Sequence, residues 1–494
     1  MEIFSFVLYF IIVLGIGIYF FVKSKDNSEK DYFLGGRQMG PWVTAMSAQA
    51  SDMSAWLLMG LPGSVLAFGL GQAWIGIGLA IGTVLNWLLV ARRLRCFSQA
   101  AKDSITLPQY LSNRFASEKK TLQVVSAVIF LVFFTVYVAS GFVAGASVFT
   151  TLFPALDESL AMFIFAVIII IYTFLGGYKA VCWTDFFQGL LMLVALLAVP
   201  IAIVASGSLD TSLLSQTVVA PDGTSYSFIG NPFKAPLTEI VSGLAWGLGY
   251  FGMPHILVRF MGIEKPSMIK KSATVACVWV VISLSATLAL AYFGRMLPIG
   301  AELLMAGEQK LIFVRLARQL FPAFVAGILL AAIIAASMST ADSQLLVASS
   351  SFTSDIYKPI FRKKADDKEI LWVGRAVVLI ISVVAYFIAS SKGSAAQAIM
   401  NMVENAWAGF GSSFGPVVLL SLFWRRFTYK GACAGVIAGA VVDVLWLVLF
   451  KSSTGIYELI PGFICGTLAA VIVTLLDKEP SKEVTDIYDT AVKM

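Results

Sequence analysis

The chain has 494 residues, 59% of them hydrophobic and 13% charged, with a mean hydropathy of +0.86. So few polar side chains cannot cover a water-soluble globule of this size, so the solvent is lipid. A single histidine and five cysteines without paired spacing argue against haem, copper, a cysteine metal site or a disulfide framework, and the +6 charge is explained below without nucleic acid.

Thirteen apolar stretches are long enough to cross a bilayer. They lie at roughly 2–22, 40–67, 69–91, 122–151, 160–178, 184–206, 236–258, 272–294, 319–350, 371–390, 396–424, 431–450 and 456–476. The first lacks a small-residue cleavage pattern and reads as a retained helix rather than a signal peptide. Residues 1–494 therefore read as one all-α membrane domain of about 13 helices with no soluble module attached.

The second stretch places Asp52 among Ser47, Ser51 and Ser54, followed by Gly60-Leu-Pro62-Gly63. An ionised carboxylate at that depth costs several kcal/mol unless a cation or a donor meets it. Small neighbours let the helix break there and turn carbonyls toward an ion. An arginine partner, or a capping role at the break, is the structural alternative. In the sixth stretch Asp185 stands near the inner end, where capping competes with an ion-relay role.

The seventh stretch carries Gly247, Gly249, Gly252 and Pro254, with Trp246, Tyr250 and Pro254 at a spacing of four that places them on one helix face. Such a stripe is a packing surface or the wall of a small apolar pocket opposite Asp52. His255 is expected at the inner end of this helix. The ninth stretch holds Ala336-Ser-Met-Ser339-Thr340-Ala-Asp342-Ser343, oxygen donors suited to a hard cation. Ser339 and Thr340 are adjacent, so both can flank an ion only if a carbonyl such as that of Ala336 joins them. Back-bonding to the helix is the alternative for these hydroxyls. Glu404, Asp443, Asp342 and His255 receive no role.

The two interrupted stretches are five helices apart. An odd number inverts the second copy, and interrupted helices at matching positions of inverted halves point to a binding site at mid-membrane. The expectation is a five-plus-five inverted repeat, residues 40–206 and 236–424, with one helix before it and two after. Close packing is the alternative use of the glycines. Of 35 basic residues, 28 fall in alternate loops, among them Lys25, Arg37, Arg95, Arg114 and Arg259. That bias places the N-terminus outside and the C-terminus in the cytoplasm.

Leu34-Gly-Gly-Arg37, Ala50-Ser-Asp-Met-Ser-Ala-Trp56, Gly176-Gly-Tyr-Lys-Ala-Val-Cys-Trp-Thr-Asp185, Met338-Ser-Thr340 and Gly409-Phe-Gly-Ser-Ser-Phe-Gly-Pro416 together resemble the sodium:solute symporter family. The resemblance spans essentially the whole chain and implies a LeuT-type core. Trp246-Gly-Leu-Gly-Tyr250-Phe-Gly-Met-Pro254-His-Ile-Leu-Val-Arg259-Phe, with Tyr137, is most similar to bacterial members that carry proline. It implies a sodium site of the Ala50, Met53 and Ala336 carbonyls and the Ser339 and Thr340 hydroxyls. It further implies coupling through Asp52 and Ser54, an ion path past Arg37 and Asp185, and an L-proline pocket shaped by Ser54, Trp56, Tyr137, Trp246, Tyr250 and Pro254. Asp342 departs from that pattern.

The implied protein is a sodium symporter of the bacterial cytoplasmic membrane working by alternating access. It is not an enzyme, and it needs no cofactor beyond sodium as co-substrate. The alternatives are the same fold carrying another amino acid, a vitamin or a sugar, and a passive channel.

Overall fold

The computed structural model describes residues 1–23, 28–392 and 398–494. Lys25 and the first residues of the stretch begun at 396 lie outside them. Among the described residues ten helices are long and apolar enough to span a bilayer, or eleven if the bent pair Leu237–Phe251 and Pro254–Gly262 counts as one crossing. Every expected stretch is helical, but two are not spans of that kind. Stretch 40–67 divides into Pro41–Asp52 and Gly60–Phe68, and 160–178 holds a shorter apolar helix. The remaining two expected stretches hold apolar helices too short to qualify on that length, because hydropathy does not register a break inside an apolar run.

The first break falls at Met53 and Ser54, not at the glycines that follow. Met53 leaves the helical region (φ −82°, ψ 74°), and Ser54 is extended, its side chain accepting from the Trp56 N–H. The Ser54 N–H turns back to the Asp52 carbonyl at 3.0 Å instead of reaching Ala50. The carbonyl of Ala50 thereby loses its helical partner. Pro62 sits in the first turn of Gly60–Phe68, where its missing N–H costs nothing.

The second break has a different cause. A 3-10 turn, Trp246–Phe251, ends at Gly252, and Met253 is extended (φ −78°, ψ 107°) before Pro254 opens the next helix. The residue before a proline is driven to extended backbone, so the bend of 42° belongs to Met253 and Pro254. The glycines serve close packing: a Cβ on Gly249 would stand 1.9 Å from Nε1 of Trp407, and one on Gly82 2.4 Å from the Gly247 carbonyl. Pro254 therefore does not share a continuous helix face with Trp246 and Tyr250.

The two broken segments run side by side in opposite directions. Met39, before the first, bridges to Ile263, after the second, and Gly69, after the first, bridges to Ile229, before the second. The long helix Ile269–Arg295 braces the first on both sides of its break: Ser272 donates to the Pro41 carbonyl at 2.9 Å and Thr287 to that of Leu57 at 3.3 Å. The helix Ala323–Ser350 also packs against the break and continues as a π-helix, Ser351–Phe361.

Four arginines counted above as loop charges are buried: Arg37 is 6% exposed, Arg95 4%, and Arg114 and Arg259 0%. Three of them satisfy chain carbonyls at one end of the bundle. Arg95 donates to Ile263 and Glu264, Arg114 to Ser421 and Val484, and Arg37 to Ser104. All five cysteines are free.

Candidate ion and solute site

The freed Ala50 carbonyl accepts a hydrogen bond from Ser339 at 2.8 Å, across 289 positions of sequence. The same hydroxyl lies 3.2 Å from the Ala336 carbonyl one turn back. Three of the five expected ion-ligating groups thus converge on one point of the interior. A fourth, Thr340, is turned aside, as expected for adjacent residues on a helix. Its hydroxyl is buried, has no hydrogen-bond partner among the described residues, and lines a cavity of about 10 Å³ together with Ser54, Tyr137, Ser337 and Gln344. Both amide atoms of Gln344 are unpartnered too. A cavity of that size accommodates a water or a small ion and nothing larger. The fifth, the Met53 carbonyl, stands at the break itself and makes no contact with Ser339 or Thr340 among the hydrogen bonds of the described residues.

Asp52 ends the helix Pro41–Asp52, is 5% exposed and forms no ion pair among the described residues. Neither an arginine nor a cap explains it. Its Oδ2 accepts from the Tyr250 hydroxyl at 2.5 Å, a contact that joins the two broken segments. A charge-assisted bond of this kind offsets part of the cost of burying a carboxylate.

Above this point lies an aromatic column. Trp56 stacks on Trp246 at 5.5 Å between ring centroids, and Trp246 stacks in turn on Tyr457 at 5.4 Å and Trp407 at 6.3 Å. Trp407 donates to the Trp246 carbonyl at 2.8 Å and meets Tyr250 edge-on at 5.0 Å. The stacked indoles leave no room for a solute between them. Trp407, Tyr457 and Met400, which accepts from Trp56, were invisible as site residues in the sequence, because nothing local ties them to position 246. Tyr137 lies beside Ser54 in the small cavity and 6.4 Å from the ring of His255. His255 stands at the break, in the first turn after Pro254, not at an inner helix end.

Asp185 is not a cap. Gly177 caps the helix Tyr178–Ala205, and Asp185 lies two turns within it, fully buried. Its Oδ2 accepts from Ser47 at 2.7 Å, from Arg259 at 3.2 Å and from Ser343 at 3.4 Å. Arg259 also donates to Ser47 at 3.1 Å and to Ser343. Asp342, fully buried one residue before Ser343, interacts electrostatically with both Asp185 and Arg259. One buried carboxylate, Asp185, therefore pairs with the guanidinium, and a second, Asp342, stands within its electrostatic reach. Arg259 escaped notice as a partner because it was counted with the loop charges; its place among Leu257, Val258, Phe260 and Met261 was the available signal.

Arg37 stands at the end of the bundle that holds Met39 and Ile263. Its backbone is left-handed (φ 56°), after Gly35 and Gly36 in the same region. It donates to Asp103 at 2.8 Å, Ser98 at 3.1 Å, the Ser104 carbonyl at 2.9 Å and the Met261 carbonyl. Burial, together with neighbouring Arg95, pulls this guanidinium down to about 10 against the opposing pull of Asp103, and it stays charged at neutral pH. Burial alone would raise the Asp103 carboxyl, but hydrogen bonds and charge from Lys30 and Arg37 outweigh it and hold the group below its usual range.

The sodium:solute symporter family model matches residues 32–439. A sodium/proline symporter of Haemophilus influenzae is 43% identical over 99% of this chain and 97% of its own length. Two proteins of Bacillus subtilis, the high-affinity proline transporter PutP and the osmoregulated proline transporter OpuE, are 43% and 41% identical, over 95% and 99% of this chain and 97% of each of theirs. Among solved structures, a Na+-coupled sialic acid symporter in a substrate-bound outward-open state superposes with a TM-score of 0.75 at 19% identity, covering 97% of this chain and 99% of that one. A nucleobase-cation-symport-1 family transporter in a closed conformation gives 0.55 at 14%, over 94% and 99% of the two chains. These two likenesses establish a shared fold.

Proposed function

This chain belongs to the sodium:solute symporter family, and on that footing we propose that it imports L-proline together with sodium by alternating access. One observation carries the reading at the level of residues: the Ser339 hydroxyl seated on the Ala50 carbonyl that the break at Met53 sets free. Sodium takes the place of the hydroxyl proton as the positive partner there, ligated by the Ala50, Met53 and Ala336 carbonyls, Ser339 and Thr340.

The ion pins the broken segment to the helix Ala323–Ser350 and orders Ser54 and Asp52. Proline then binds a site already assembled, between Ser54, Trp56, Tyr137, Trp246, Tyr250 and Pro254. Each ligand strengthens the other by the same factor, since coupling between sites is reciprocal. For proline to enter, Trp56 and Trp246 separate, and their renewed stacking closes the site behind it. Release proceeds inward past Asp185 and Arg37. The fold is read as the two inverted repeats, 40–206 and 236–424, rocking about this site, with the N-terminus outside the bacterial cytoplasmic membrane and the C-terminus inside. An inside-negative potential of 100 mV contributes about 2.3 kcal/mol per sodium, roughly a 40-fold bias toward accumulation.

The test is labelled proline uptake into sealed vesicles with and without an inward sodium gradient. Accumulation above the outside concentration that collapses with the gradient is expected. Uptake that only equilibrates would indicate a channel. Sodium-driven accumulation of another solute, with proline ignored, would leave the mechanism standing and remove the substrate.

A further inference from the structure

A groove of about 810 Å³ opens between the first turn of Arg92–Ala100 and the helix Ile269–Arg295 with its preceding turn Pro266–Met268, at the membrane end that holds Met39 and Ile263. Its rim carries Arg92, Lys270, Ser267 and Thr274, all exposed, with Met494 also lining it, so two side-chain cations face one backbone carboxylate. Its wall is apolar and includes Leu88, 66% exposed, and the half-buried Cys277.

The two cations are unlike their neighbours. Arg93 donates to the Leu422 carbonyl and lies 4.4 Å over the Phe423 ring, and Lys271 lies 5.4 Å over the Trp42 ring. Arg92 and Lys270 form no ion pair and no side-chain hydrogen bond among the described residues. Two uncommitted positive charges thus stand where the apolar flank of the bundle meets its end. Basic pockets between membrane helices at that level recognise lipid headgroups.

We propose that this groove binds an anionic phospholipid, its headgroup phosphate held by Arg92 and Lys270, with Ser267 as a hydroxyl donor, and an acyl chain lying against Leu88 and Cys277. The groove needs both charge and length of apolar wall, which a free phosphate or an acidic peptide would not use. Ile269–Arg295 is also the helix that braces the broken segment through Ser272 and Thr287, so an occupant here steadies the frame of the ion site.

The experiment titrates phosphatidylglycerol and, separately, phosphatidylcholine onto the purified full chain in detergent and counts bound lipid by native mass spectrometry. Phosphatidylglycerol should be retained preferentially. The double variant Arg92→Gln with Lys270→Gln should bind it roughly 30-fold more weakly, from about fivefold per lost surface cation. The pair Lys363→Gln with Lys364→Gln, which removes the same charge elsewhere, should leave retention unchanged. Cys277→Trp, which keeps both cations but fills the wall, should also weaken retention about tenfold. Equal retention of the two lipids by the unaltered protein would overturn the proposal. So would undiminished phosphatidylglycerol binding by Cys277→Trp or by a double variant with an unchanged melting temperature, or an equal loss in the Lys363 and Lys364 control.

Discussion

Ser339 and Thr340 differ in what each one touches, and their substitutions should differ accordingly. Ser339→Ala removes a hydroxyl that already bridges two helices, and one lost oxygen ligand of about 1 kcal/mol corresponds to roughly a fivefold rise in the sodium concentration for half-maximal uptake. Thr340→Ala should move the same quantity in the same direction. Its hydroxyl has no protein partner to lose, so the thermal midpoint should stay unchanged. Sodium titrations of uptake in which neither variant shifts would remove both from the ion site. Tyr250→Phe leaves Asp52 without its donor, a charge-assisted bond of about 1.5–3 kcal/mol. Proline uptake at saturating sodium should then fall at least tenfold, and an unimpaired initial rate would show that the contact is not used in transport.

At the level of elements, the interior is held by contacts between pieces far apart in sequence. Asp185 on Tyr178–Ala205 and Arg259 on Pro254–Gly262 are both fully buried, so removing one partner strands a charge. Asp185→Asn or Arg259→Gln alone should cost about 3–5 kcal/mol and lower the melting temperature. The double variant should recover part of that loss, because neither member of the pair is left charged, while Asp342 still loses its nearby cation. A double variant no more stable than the worse single one would contradict the pairing. Gly249 illustrates a second kind of dependence. Gly249→Ala drives a methyl into Trp407, and the damage should be lessened by Trp407→Leu, read as the amount of folded protein in the membrane.

For the molecule as a whole, one end of the bundle is latched by Arg37, Lys30 and Asp103, while the aromatic column joins the two broken segments. The folded Asp103 carboxyl is held below its ordinary value of 3.8. Its contribution is therefore complete above that pH and is lost as pH falls through the lower folded value. Thermal stability should show no dependence on this group between about pH 5 and 8, and a loss below about pH 4 that Asp103→Asn abolishes. Because Asp103 is partly exposed, the effect should also shrink in high salt. A stability profile in Asp103→Asn that still falls as in the unaltered protein would exclude the latch.

Composition and hydropathy by themselves marked a polytopic, mostly helical chain, because lipid demands long apolar runs, and only the short hairpin Val218–Val219 with Ser225–Tyr226 departs from it. The oddity of Asp52 among small residues, and the proline at 254, also marked both interrupted segments, since a charge or a missing N–H inside an apolar helix must be accounted for locally. What a one-dimensional pattern does not contain is partnership at a distance. Only the packed chain shows that the break falls at Met53, that Asp185 meets Arg259 instead of capping a helix, and that Trp246 stacks among Trp56, Trp407 and Tyr457. The same limit made buried arginines look like loop charges: in sequence Arg259 is a cation near a helix end, whereas in three dimensions the carboxylate that neutralises it stands 74 positions away.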